Sequence, residues 1–592
     1  MFEASKDGEV EKLMLLLDDS SNANELVLLN DKWGRTALHY AANKEIAQLL
    51  VNSVIECDQK ALLTTRSPRV RDSEGLLPPK PTALDAAVAN DRFDVVEYLL
   101  SFSIAHELLF AQEEKLCHIC LHYAKSADMV DLLLNAVKSD EMRKKFLLTG
   151  NWRNETILHL AVKNGYKEVI TYLCNLPDSP ELLQRLDVNG NTAYCCTRSR
   201  DILQVLVEAS PNYMWKDLLL KGNKEKRTVL HGASVLQVPE MVEYLCSLSL
   251  TDLITLRDKS GDTALHLAHS LDITQMLIES IPTSVSVELI FTKNNHGRTV
   301  LHRFVYWNAD ISAVEYLLDS VPSVEKLLFV TDNEGRTALH YADTVDMVEL
   351  LINNVKDELE FMNITDIEGH TPLMYMAVRG LPECLRYLLD FVESEFGERD
   401  LEQSLLIRNC SGQNVFHLAT ISPLSEELVE VLQDYINIVT IDEILIPDRF
   451  NNTPITYLTA RFLTSMFAEF IMRSPPWERR EYLHLKNIKG TNCLSILDKR
   501  EFVDSWYLRD VLCVEEDISY HQRFKRIPFS SKFSVDALFH PEKHIRFDQD
   551  ILRVLKYALN EYSPPDFHVA PRYPKMAVAG LSSVRDLQKV TN

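Results

Sequence analysis

A six-residue phrase recurs along this chain: TALHYA at 36–41 returns as TILHLA from Thr156, TALHLA from Thr263 and TALHYA from Thr337. A unit repeated at near-constant spacing cannot cover its own apolar face, so the fold has to be a stack in which each unit is closed by its neighbours. Aligning on the Thr position gives thirteen anchors: Thr36, Thr82, Ile119, Thr156, Thr192, Thr228, Thr263, Thr299, Thr337, Thr371, Asn414, Thr453 and Asn492. Their spacings run from 34 to 46 residues and fall mostly between 35 and 38.

Most anchors follow DxxGx or a relative of it, as in Asp31-Lys32-Trp33-Gly34-Arg35, Asp332-Asn333-Glu334-Gly335-Arg336 and Asp366-Ile367-Glu368-Gly369-His370. An Asp or Asn side chain bonds nearby backbone and Gly accepts positive φ, so this is turn chemistry. The Thr that follows suits a helix N-cap, and in Thr371-Pro372 and Thr453-Pro454 a proline takes the first helical position. A second apolar stretch, such as Glu168-Val169-Ile170-Thr171-Tyr172-Leu173, has the spacing of an amphipathic helix. Each unit therefore reads as a protruding turn followed by a helical hairpin.

This unit, with TxLHxA at a fixed offset from DxxG, resembles the ankyrin repeat, and the resemblance covers about residues 1–513. It implies an all-α solenoid with short β-hairpin-like turns and a short non-repeat C-terminal segment. It also implies a structural role for eight histidines at the TxLH position, His39, His122, His159, His231, His266, His302, His340 and His417, each bonding backbone between neighbouring units. Asp85, Cys195, Met374, Thr456 and Ser495 fill that position elsewhere, and those junctions are expected to be looser.

Short and long units alternate. From the anchor to the closing apolar pair there are 13 residues at Thr36, Ile119, Thr192, Thr263 and Thr337, but 16 at Thr82, Thr156, Thr228 and Thr371 and 17 at Thr299. Every long unit places Tyr at the pair (Tyr98, Tyr172, Tyr244, Tyr316, Tyr387) and no short unit does, so the true period is a double repeat. Losing three residues removes most of a helical turn between the two helices, and the tyrosine next door is expected to fill the gap by core packing with its hydroxyl at an edge.

The domain reading runs as an N-terminal capping half-repeat at 1–30, repeats over 31–440, degenerate repeats with a C-terminal cap over 441–513, and a non-repeat tail over 514–592. Leu76-Leu77-Pro78-Pro79-Lys80-Pro81 is expected to bulge on the turn side, and the third unit has lost its DxxG. In the tail, Ile551, Val554, Leu555, Ala558 and Leu559 predict one helix near 548–562.

The chemistry-bearing signals are weak. Cys117-His118-Ile119-Cys120-Leu121-His122 has a CxxC and a nearby histidine, but His122 sits in repeat register and no second CxxC or HxxxH follows at finger spacing. His540-Pro541-Glu542-Lys543-His544 has its Glu misplaced for the HExxH mechanism. Phosphate-cradling, dinucleotide, nucleophile-elbow and kinase motifs are missing, so the sequence offers no catalytic residue, no cofactor and no metal ligand.

With 86 Asp and Glu against 62 Lys and Arg, the net charge of −24 repels nucleic acid and anionic lipid. Arg479-Arg480 and Lys525-Arg526 are short and isolated, and read as solvated surface. No apolar run reaches the 18 or more residues of a membrane helix, no secretory signal opens the chain, and 11 scattered cysteines read as reduced thiols. The expected compartment is the cytoplasm, with the nucleus left open. The resemblance implies protein binding without chemistry, by a scaffold or adaptor using finger tips and concave face. The other reading is a regulatory subunit of a channel or ligase assembly, docked through its C-terminal tail.

Trp33, Trp152 and Phe450 stand at variable turn positions with no core demand on them, and large aromatics dominate protein interfaces. Together with Arg153, Arg298, Arg336, His370 and Arg449 they form the candidate partner-binding set, the alternative for the aromatics being a ring that lies flat over the adjacent finger as part of the fold. The sequence leaves the oligomeric state open.

Overall fold

The computed structural model describes residues 1–18, 22–66, 81–112, 117–422, 425–435, 438–440, 444, 446–461 and 485–493. The chain divides into two compact units, Met1–Glu443 and Ile444–Asn592. Among the described residues the regular structure is helical throughout, with no strand. The helix expected near 548–562, the tail over 514–592, the insert at 76–80, His540, His544, Arg479-Arg480 and Lys525-Arg526 lie outside the described residues.

The first helix of each unit starts at the anchor, and its length alternates as the spacing predicts. Long units have full α-helices: Ala83–Ala89, Ile157–Asn164, Val229–Leu236, Val300–Tyr306 and Pro372–Arg379. Short units have one 3-10 turn instead: Ala37–Tyr40, Cys120–Tyr123, Ala193–Cys196, Leu265–Leu267 and Ala338–Tyr341. The chain then passes directly into the second helix, whose N-cap in three of the short units, Asn43, Ser126 and Ser199, accepts from a backbone N–H with its side chain. The missing three residues thus come out of the first helix.

One feature departs from the hairpin reading. Each unit anchored from Thr36 to Thr371 carries a third, short helix between the second helix and the next turn, such as Asp140–Leu148, Ser179–Gln184, Trp215–Leu220, Thr283–Phe291 and Glu358–Met362. An adjacent apolar pair anchors it: Phe146-Leu147, Leu182-Leu183, Leu218-Leu219, Leu289-Ile290, Leu327-Leu328 and Phe361-Met362 are all buried. The N-terminal residues differ similarly. Where the sequence predicts a half-repeat, Phe2–Asp7, Val10–Asp18 and Ala23–Leu28 supply all three helices, and the Ser5 hydroxyl donates to the Ala37 carbonyl at 2.8 Å.

The tyrosine stripe is half-buried rather than core. Its hydroxyls reach back to carboxylates on the second helix of the preceding short unit, Tyr172 to Asp131 at 2.6 Å and Tyr316 to Glu279 at 3.0 Å. Burial, with the Asp131 carboxylate beside it, pushes the Tyr172 phenol up to about 12.

Neighbouring units are clamped by the TxLH histidines. At the junction made by His302, the Thr299 N–H donates to His302 Nδ1 at 3.3 Å, the Thr299 hydroxyl lies 2.8 Å from the same nitrogen, and Nε2 is 3.0 Å from the Arg336 carbonyl of the next unit. A carbonyl can only accept, so Nε2 carries the proton and Nδ1 is bare. The same bridge joins His39 to Pro81, His159 to Asn191, His231 to Asp262 and His340 to His370. Burial drives His39, His122, His266, His302 and His340 down to about 4, so these rings are neutral near pH 7. Cys195 imitates the bridge, with the Thr192 hydroxyl 3.8 Å from its sulfur and the sulfur 3.7 Å from the Lys221 carbonyl.

Candidate functional site

The turns project from this frame as fingers, each built by one Asx side chain. In the finger at 332–336 the Asp332 carboxylate accepts from the N–H groups of Glu334 (2.9 Å) and Arg336 (3.0 Å), while Asp332 N–H donates to the Arg336 carbonyl at 2.9 Å. Asp31, Asn151, Asp187, Asn223, Asp258, Asn294, Asp366, Asn409, Asp448 and Asn487 repeat the arrangement. The fourth finger residue is left-handed, as at Gly297 (φ 75°), where a β-carbon would come within 2.6 Å of the Asn333 nitrogen on the next finger.

A backbone ladder then ties finger to finger. Val188 N–H donates to the Arg153 carbonyl, Lys224 to Asn189, Lys259 to Glu225, Asn295 to Ser260, Asn333 to His296, Ile367 to Glu334 and Cys410 to Glu368, at 2.7–3.0 Å. In the second unit Ile488 donates likewise to Phe450 at 3.1 Å. The β-hairpin-like closure is present within each finger, but one bond per junction does not amount to a strand.

Within this frame the candidate residues separate into two groups. Trp33 is 45% exposed with Lys32 Nζ 4.1 Å from its ring, and Trp152 is 50% exposed with the Arg153 guanidinium 4.7 Å from its ring. Arg153 and Arg449 are exposed, and Phe450 is exposed at 41%. Arg298, Arg336 and His370 instead turn inward. Arg336 is only 7% exposed, with its guanidinium 3.4 Å from Asp366 and 4.9 Å from the Tyr375 ring. Arg298 packs 4.8 Å from the Tyr341 ring and donates to its hydroxyl at 3.0 Å. His370, also 7% exposed, lies against Asp366, Tyr375 and Asn409.

The reason is a relay between units. Tyr341 donates to Asp332 at 2.6 Å and Tyr375 to Asp366 at 2.9 Å, and the arginine of one finger reaches the carboxylate of the next. Burial alone would raise the Asp366 pKa, yet hydrogen bonds from His370 and Tyr375 hold the carboxyl well below the usual range. These three side chains are therefore occupied within the fold, and we do not carry them into a partner surface.

A patch that sequence reasoning missed lies beside them. Trp307, 36% exposed, packs on Tyr306 (5.6 Å), His269 (5.8 Å) and the Arg303 guanidinium (5.2 Å), and Tyr306 continues to Tyr341 at 5.6 Å. Its sequence signal is Trp307 itself, eight residues past its anchor at the end of a long unit's first helix, where three of the other long units carry the polar Asn90, Asn164 and Arg379 and the fourth carries Leu236.

Among the described residues no three His, Cys, Asp or Glu side chains converge as metal ligands, and no helix is long and apolar enough to cross a membrane. Cys120 is buried with its sulfur 3.6 Å from the Leu109 carbonyl, a packing position.

Stacked helical units joined through Asx-turn fingers and histidine bridges define a repeat solenoid, a class that presents surface. The family description "Ankyrin repeats (3 copies)" matches residues 117–217 and 343–442, and "Ankyrin repeat" matches residues 33–60. The chain is an ankyrin-repeat protein, and ankyrin repeats are protein–protein interaction modules. It is similar to the ankyrin repeat domain of Bcl-3, whose crystal structure is titled that of a unique member of the IkappaB protein family; identity is 22%, coverage 47% of this chain and 98% of that chain, and the TM-score 0.29. Among curated proteins nothing matches.

Proposed function

We propose that this protein is an adaptor that holds partner proteins on its fingers and on the adjoining ends of its first helices, without catalysing a reaction, and that it works in the cytoplasm. The observation that carries the reading is Trp152, a half-exposed indole on a finger whose backbone is bonded to the finger after it. A rigid, preordered aromatic loses little entropy when covered, which is how interface hot spots arise. Trp307 and its ring neighbours offer a second such anchor.

The test uses the full chain as bait in cell lysate, with recovered proteins quantified by mass spectrometry. Trp152→Ala and Trp307→Ala should each lower recovery of particular proteins at least about tenfold while leaving the melting transition in place. Tyr213→Ala, at the most exposed ring among the described residues and outside the finger sequences, should change nothing. Equal recoveries from all four baits would remove the fingers and the Trp307 patch from the binding surface.

A further inference from the structure

Three successive fingers, residues 221–227, 257–262 and 293–298, carry eight Lys and Arg against three Asp and Glu, in a chain whose net charge is −24. Two of the three acids are withdrawn from the surface: Asp258 and Asp262 are buried in the turn that they build. Glu225 is the exposed carboxylate on these fingers, and Lys259 already sits 3.3 Å from it.

Of the eight cations Arg227 is paired with Asp258 at 3.0 Å and Arg298, turned inward, lies 3.5 Å from Asp332, so neither belongs to the exposed row; five of the others have no carboxylate partner among the described residues. Lys221, Lys224 and Lys226 are exposed or half-exposed and make no ion pair among the described residues. Arg257 donates to the Gly261 and Lys293 carbonyls and Lys293 donates to the Thr331 carbonyl, partners that orient the charges without cancelling them. The ladder through Lys224, Lys259 and Asn295 fixes the row finger by finger.

Lys226 adds a separate observation. It occupies the left-handed finger position at φ 57°, where eight other fingers use glycine and where a β-carbon is disfavoured. The two remaining exceptions are explained by the fold, since Asn154 and Asn451 donate from their side chains to the Leu186 and Lys486 carbonyls of the following finger. The Lys226 ammonium has no such use among the described residues. Backbone strain retained for a side chain that the fold does not employ points to a ligand.

We propose that this finger row is a docking strip for an acidic segment of a partner protein, an extended run of Asp and Glu lying across the three fingers. This rests on reading the chain as an interaction protein and names the chemistry of its partner. Charge complementarity of this kind sets encounter rate and salt dependence. Polyphosphates fit less well, because the acidic remainder of the chain repels a long anion beyond the strip and no Trp, Tyr or Phe stands on these three fingers to stack bases.

The experiment measures fluorescence anisotropy of a labelled 16-residue peptide of alternating Glu and Asp, added to the full chain at low and at physiological salt. Binding should weaken at least about tenfold across that salt range and again by at least about tenfold in Lys224→Glu/Lys226→Glu/Lys259→Glu, while Lys12→Glu/Lys326→Glu should bind like wild type. Circular dichroism of the triple variant should match wild type. Absence of binding at low salt, or equal loss in both charge-reversed variants, would overturn the strip. So would tighter binding of a 16-nucleotide single-stranded DNA or of phosphatidylserine vesicles through the same lysines, or sedimentation showing that these lysines join two copies of the chain. Proteins whose capture depends on Trp152 or Trp307 would remain in all of these cases, which separates failure of the strip from failure of the adaptor reading.

Discussion

At the scale of single residues, the bridging imidazole is both the most legible and the most consequential group. The TxLH phrase placed the bridging histidines correctly, because one side chain satisfying a cap and a neighbour's carbonyl leaves no room for drift. Arginine and histidine on the fingers were not legible in the same way. Arg336 is held by Asp366 and Tyr375 of the following unit as well as by Glu334 of its own finger, and the contacts that cross to the next unit are not written in the finger itself. The bridges carry a pH dependence with a definite sign. A folded imidazole pKa near 4, below the ordinary 6.5, means that the unfolded chain binds the proton more readily, so stability is complete above about 6.5 and is lost as pH falls toward 4. Burial would raise the Asp31, Asp332 and Asp366 carboxyls, but hydrogen bonds outweigh it and hold them below their ordinary range, so they lose stability only at lower pH than the histidines do. Each such ring contributes on the order of 2 to 3 kcal/mol over that window. Denaturation midpoints should therefore fall between pH 7 and about pH 4.5, and His340→Gln should flatten that slope while lowering stability at pH 7. A slope identical in wild type and variant would mean that His340 titrates normally in the fold.

At the scale of elements, alternation of long and short first helices was readable from anchor spacing, since three residues more or less must be taken up somewhere. The third helix was not. Its five to nine residues are too few for a helical period to stand out, and the apolar pair that holds the element looks like a strand fragment or a linker until units are aligned. Its signal was its position: Phe146-Leu147, Leu218-Leu219, Leu289-Ile290 and Phe361-Met362 all sit ten and nine residues before an anchor. If the element is part of the core, Phe146→Ala should cost about 3 to 5 kcal/mol, the usual loss for a buried aromatic. A linker would lose almost nothing, so urea titration of this one variant decides between the two descriptions.

At the scale of the whole molecule, energy in a stack is passed between adjacent layers, and damage should stay near its source. Leu301, fully buried in Val300–Tyr306, is a suitable probe: Leu301→Ala should cost about 2 to 5 kcal/mol. Hydrogen exchange should speed up across the units anchored at Thr263, Thr299 and Thr337 and stay unchanged over residues 1–60. Uniform acceleration throughout 1–443 would show that the stack melts as one body. The tyrosine stripe gives this array a further property. Tyr172 and Tyr316 each look back to a carboxylate on a short unit, and a long unit has such a predecessor only while the two kinds keep strict turns. The array thus has parity: it can grow or shrink by an even number of units and keep every pairing, whereas an odd excision sets two of a kind side by side, with a phenol facing the wrong partner.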